Sequence, residues 1–144
     1  SLVATAMTDP VDGESSPVEH ALNHYVRADG DAVRMIIAGA RRYAPNAMID
    51  EIVYFIHDKG RQARAGKITN PLAYLLVYVP KCFEGESFLR FREEVKRARE
   101  VEEDAGRQAR EELAQLRTQW QAWLSDPAVR EEDKVWARRM LASV

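Results

Sequence analysis

The chain has 144 residues, 46% hydrophobic and 31% charged, with a formal net charge of -2. That is enough for one domain with a modest core, or a small domain plus an extended element, and it excludes a wholly disordered chain. A near-neutral balance gives no global attraction to nucleic acid, so any contact with phosphates must be regional.

Residues 1–16 form a polar run with Asp9, Pro10, Asp12, Gly13, Ser15 and Ser16 and no periodicity, the composition of a flexible arm. The apolar start, Leu2 to Met7, is too short for a secretory leader and lacks a basic lead-in. An opening Ser1 in place of Met leads us to expect a segment of a longer protein. No apolar run approaches the roughly 20 residues needed to cross a bilayer, so no membrane contact is expected. Cys82 is the single cysteine and rules out an internal disulfide, which predicts a reducing, cytoplasmic setting.

Residues 17–83 read as a compact helical domain. Pro17 suits a first helical position after Ser16, and Ala21, Leu22, Tyr25 and Val26 recur at helical spacing until Asp29 and Gly30. Asp31 is the expected cap of a second helix with Val33, Ile36, Ile37 and Ala40 on one face, stopping before Pro45. Asn46 is the expected cap of a third, in which Ile49, Ile52, Val53, Phe55 and Ile56 follow an i, i+3, i+4 pattern. Asp50 and Glu51 suit its first turn, and Gly60 is its expected end. Asn70 and Pro71 open a fourth helix over 72–79, closed by Pro80.

Residues 84–144 read as one long helix and a short closing helix. From about Glu84 to Leu124 there is no proline, and Glu, Arg, Ala and Leu dominate. Phe88, Phe91, Val95, Ala98, Ala105, Ala109, Leu113, Leu116, Trp120 and Trp123 approximate a 3-4 seam. Glu102 occupies a seam position and the pattern shifts by one near Leu113, which breaks a strict heptad. After Asp126 and Pro127, a last helix with Val129, Val135, Trp136, Met140 and Leu141 is expected to fold back so that Trp136 meets the end of the long helix.

The fold class is therefore all-α, and no motif carries catalytic chemistry. Lys59, Arg61, Arg64 and Lys67, in an expected loop between helices, with Lys81 further on, are the candidate phosphate contacts, since cationic side chains supply most non-specific nucleic-acid affinity. Tyr74 and Tyr78, four apart, share a helix face that borders a core or stacks on bases. His20 and His24 have the i, i+4 spacing of a metal pair but lack the glutamate of a zinc hydrolase motif. No metal or cofactor is expected. Cys82 has no histidine beside it in sequence to activate it and reads as an inert thiol. The alternating acids and bases from Arg92 to Arg107 read as a solvated face laced with i, i+4 pairs. Phe88, Phe91, Val95, Leu113, Leu116, Trp120 and Trp123 are the candidate partner-binding residues, for a protein partner or a second copy.

The stretch APNAMIDEIVYFIHDKG, then ITNPLAYLLVYVPKCFEG and FLRFREE, resembles the helical or winged-helix-related accessory region of replication initiator and regulatory proteins of plasmids, phages and bacterial mobile elements. The resemblance covers about residues 31–94, and its best-matching element is Asn70, Pro71, Tyr74 and Leu75. It implies a non-enzymatic DNA-associated module, and the seam of the long helix, which a lone helix cannot bury, adds the expectation that the module self-associates or docks a partner through it. The residues alone leave open a protein-interaction domain without nucleic-acid contact, because neither the Met48 helix nor the Leu72 helix carries the Arg, Asn or Gln face of a recognition helix.

Overall fold

A computed structural model describes residues 12–144. Among them are six helices and no strand: α1 (Asp12–Asn23), α2 (Gly30–Tyr43), α3 (Ile49–Ala65), α4 (Pro71–Lys81), α5 (Gly85–Ser125) and α6 (Glu131–Ser143). The chain forms two compact units that divide after Arg92, within α5. Most of the expected N-terminal arm lies outside the described residues. Its last part does not: α1 begins at Asp12, and Pro17 sits inside the helix instead of at its start. There Pro17 withholds the hydrogen bond that the carbonyl of Gly13 would accept. Glu14, one turn in, is held by both terminal nitrogens of Arg41 at 3.0 and 3.1 Å.

In the first unit, α2 packs on α4, α1 on α3, and α3 on α4. Val18 and Leu22, Ile36 and Ala40, Ile52 and Ile56, Leu75 and Val79 are each fully buried, one pair from each helix at the spacing that puts both on one face. Phe55, Phe83 and Phe88 close the core, with ring centroids 5.2 Å apart for Phe55 and Phe83 and 4.8 Å apart for Phe83 and Phe88. The β-prone run IVYFI is helical because its burial follows i, i+3, i+4: Ile52, Phe55 and Ile56 point in and Tyr54 points out. Two glycines let helices approach closely. A Cβ on Gly60 would meet the Tyr25 ring at 2.5 Å, and one on Gly39 would meet Pro80 at 2.8 Å.

Several boundaries differ from expectation, each for a local reason. Asp29, not Asp31, caps α2, its carboxylate accepting the Ala32 N–H at 2.9 Å. Met48, not Asn46, precedes α3, and Glu51 reaches back to accept the Met48 N–H at 2.9 Å. Gly60 does not end α3; its bare backbone receives Tyr25 and the helix continues to Ala65. The true stop is a Schellman-type turn: Ile68 N–H donates to Ala63 O and Lys67 N–H to Arg64 O, with Lys67 in the left-handed region at φ 52°. Pro80 falls inside the last turn of α4, which runs on to Lys81.

In the second unit, the remainder of α5 meets α6. Trp120 is buried, its ring centroid 5.6 Å from that of Trp136 in an edge-on arrangement, and Trp123 lies 6.3 Å from Trp136. Ala137 is the fully buried residue of α6. The expected return of the closing helix onto the end of the long one is therefore observed.

Candidate functional site

The expected basic loop is mostly helix. Lys59, Arg61 and Arg64 ride on the last turns of α3, Lys67 follows in the terminating turn, and Lys81 ends α4. Their placement separates them. Arg64 turns toward α1, where its Nη2 donates to the His24 carbonyl at 2.7 Å and its guanidinium lies 4.9 Å over the Tyr25 ring. Lys59 donates to Gln62 at 3.3 Å, and its charge acts on Cys82 on the other side of α3. Lys81 lies 5.3 Å over the Tyr78 ring and, with Arg42, edges a groove between α2 and α4 floored by Gly39, Leu76 and Pro80. Tyr74 and Tyr78 pack on one another, centroids 4.8 Å apart.

What sequence reasoning missed is His57. His20 near the end of α1 and His24 in the turn just after it are joined by His57 from α3, and these are all the histidines of the chain. Ring centroids are 5.9 Å apart for His20 and His24 and 5.5 Å for His24 and His57. Tyr25 Oη and His57 Nδ1 share a 2.7 Å hydrogen bond. Burial lowers the pKa of His57, and the positive charge of His24, Arg61 and His20 lowers it further. Arg61 and Arg64 thus gather with the histidines on the α1 side of α3. The i, i+4 step from His57 to Arg61 is visible in the sequence; the 32 residues between His24 and His57 hide the rest. Among the described residues no group of three His, Cys, Asp or Glu side chains is arranged to hold a metal ion. Cys82 is half-buried and donates to the Tyr78 carbonyl at 3.2 Å, and burial pushes its thiol pKa up, which keeps it protonated.

The candidate partner-binding residues divide by exposure. Phe88 is buried and Phe91 half-buried in the core of the first unit, where Arg92 lies 4.5 Å over the Phe88 ring and pairs with the buried Glu51. Trp120 is covered within the second unit and Trp123 partly so. Val95 and Leu116 are exposed at 38% and 42%, and Leu113 is half-buried. The alanines between them, Ala98, Ala105 and Ala109, are exposed as well. Along α5 the same stripe is therefore covered at Trp120, partly covered at Leu113, and exposed at Val95, Ala98, Ala105, Ala109 and Leu116.

Comparison with protein-family models, curated proteins and solved structures finds no match for the chain. No helix among the described residues is long and apolar enough to cross a membrane.

Proposed function

We propose that the chain is a non-enzymatic helical assembly module that self-associates through the middle of α5. One observation carries this reading: the stripe from Val95 to Leu116, apolar but for Glu102, continues the spacing of Phe88 and Phe91 and lies exposed except at half-buried Leu113 on a helix of 41 residues. An isolated helix draws most of its stability in a protein from an apolar face packed against something, and a charged helix with an open seam is the substrate for helix pairing. Sedimentation equilibrium across a hundredfold concentration range tests it. A mass rising to that of a dimer or larger supports the reading, and the pair Val95→Asp and Leu116→Asp abolishes the rise. A mass fixed at 16.4 kDa throughout refutes it.

A second reading is association with DNA through phosphates, the function implied by the resemblance to replication initiator and regulatory proteins. It is favoured by the convergence of Arg61 and Arg64 with His20, His24 and His57. Fluorescence anisotropy with single- and double-stranded DNA at two salt concentrations tests this reading. Binding that weakens with salt, and weakens again on Arg61→Gln, supports it. Absence of binding to either form at low salt refutes it.

A further inference from the structure

We propose that a second copy of the chain covers the open stripe of α5, the two helices running parallel and in register over residues 94–117. The inference rests on the self-association reading and goes beyond it by assigning direction, register and the charges that select them. The seam runs Val95, Ala98, Glu102, Ala105, Ala109, Leu113 and Leu116, alternating steps of three and four with one extra four-residue step before Leu113.

Glu94 and Glu112 stand immediately before seam positions Val95 and Leu113, while Arg99 and Arg117 stand immediately after Ala98 and Leu116. On a helix these sets fall on opposite flanks of the stripe. In a parallel pair each flank faces the opposite flank of its partner, five residues further on. Glu94 then meets Arg99 of the second copy, and Glu112 meets Arg117. An antiparallel pair that matches Val95 with Leu116 and Ala98 with Leu113 brings like flanks together, so neither Glu94 nor Glu112 faces Arg99 or Arg117. The flank pairs therefore favour the parallel arrangement.

The charges required are unspent. The ion pairs within α5 join Asp104, Arg107 and Glu111 on its outer side, and among the described residues no ion pair engages Glu94, Arg99, Glu112 or Arg117. Val101, at 69% the most exposed large apolar side chain among the described residues, precedes Gly106 by the same five residues, so in the parallel pair it lies over the one flanking position without a side chain. Ala98, Ala105 and Ala109 let two backbones approach near the short end of the usual 8–10 Å interaxial range. In register Glu102 of one copy faces Glu102 of the other, a like-charge contact in the seam that lowers affinity and opposes the flank pairs.

The test uses the full chain with Cys82→Ser, carrying either Ala98→Cys or Leu113→Cys, under a glutathione redox buffer, with mass measured by sedimentation. A dimer in which Ala98→Cys cross-links to itself supports the proposal. A dimer that cross-links only when the two variants are mixed overturns the parallel arrangement and leaves self-association standing. A monomer at every concentration overturns both. As an independent readout, Glu94→Arg with Glu112→Arg raises the dimer dissociation constant roughly tenfold, and adding Arg99→Glu with Arg117→Glu restores it. Unchanged affinity in the first double variant overturns the charge selection.

Discussion

Replacing Arg92 with Met isolates the most deeply set charge of the first unit. Arg92 donates from Nε to Glu51 Oε2 and from Nη2 to Oε1, both at 2.8 Å, and from Nη2 to the Asn46 carbonyl at 2.9 Å. The Glu51 side chain is 8% exposed and that of Arg92 26%, so the carboxylate cannot turn to water when its partner is lost. Breaking a buried pair from one side costs about 3–5 kcal/mol. The surviving N–H of Met48 and the partial exposure of the arginine place Arg92→Met near the lower end, about 3 kcal/mol. For a unit of about 80 residues, at about 4–8 °C per kcal/mol, Tm falls by roughly 12–24 °C. Glu51→Gln keeps the bond to Met48 and leaves an arginine that can reach solvent, so its cost is smaller, about 1–2 kcal/mol. The double variant is then more stable than Arg92→Met alone. All five tyrosines lie in the first unit and all three tryptophans in the second, so tyrosine near-ultraviolet dichroism follows the relevant transition without interference from α6. A cost below about 1 kcal/mol for Arg92→Met, or a larger one for Glu51→Gln, refutes the reasoning. The same pair sets an acid limit. Burial raises the pKa of Glu51, but the hydrogen bonds from Arg92 and Met48 and the arginine charge outweigh it and leave it lowered. A carboxylate depressed in the folded state contributes stability above its unfolded pKa, and that contribution is lost as pH falls below about 4, in the wild type but not in Glu51→Gln.

The remaining predictions concern α3 and α5. His57 has a lowered pKa, so the folded state resists its protonation and stability declines as pH falls below about 6.5; His57→Gln flattens that slope in thermal melts between pH 7.5 and 5.5, and an unchanged slope contradicts the placement of the charge. Gly60→Ala forces a methyl into the Tyr25 ring and destabilises by about 1–3 kcal/mol, whereas Gly106→Ala, which meets only the flexible end of Arg110 at 3.5 Å, stabilises the helix by roughly 0.5–1 kcal/mol. Urea titration that ranks the two the other way counts against the close α1–α3 approach. Lys67→Gly relieves a left-handed lysine and raises stability by about 1 kcal/mol. If Lys67 also contacts phosphate, the same variant weakens DNA binding while strengthening the fold, a combination that simple unfolding does not produce.

The class of fold and the faces of the helices were readable because burial follows spacing. Ile36 and Ala40, Ile52 and Ile56, Leu75 and Val79 are fully buried at the positions periodicity assigns. Stops were less readable, since Gly and Pro have two uses that look alike in a sequence. Gly60 and Gly39 serve approach, not termination, while the real end of α3 is made by Lys67, a residue type that carries no stop signal. Pro17 and Pro80 likewise sit inside helices, Pro17 in the middle of α1 and Pro80 in the last turn of α4, where each removes one hydrogen bond without ending the helix. Reading Gly60 as a terminus turns about the last turn and a half of α3 into a loop and groups Lys59 with Arg61 and Arg64, whereas the helix sends them to different flanks. The histidine cluster was beyond reach for another reason: it forms between helices distant in sequence, and only packing brings His57 to His24.

The seam of α5 shows where periodicity alone stops being informative and side-chain size takes over. From Phe88 to Trp120 the spacing hardly changes, yet Phe88 and Trp120 are buried and Ala98, Ala105 and Ala109 are not. Large aromatic rings span the gap to short elements of the same unit, each of which meets α5 over a turn or two. Small residues cannot bridge such a gap; they become useful only where another backbone comes close along several turns. A run of alanines between two aromatic anchors therefore marks the part of the helix whose partner is itself a long helix. Glu94 and Arg99 flank the start of that run and Glu112 and Arg117 the leucines after it, and among the described residues none of the four is in an ion pair. Size and charge thus change together at the same residues, and an exposed helix with no partner has no physical reason to keep them in step.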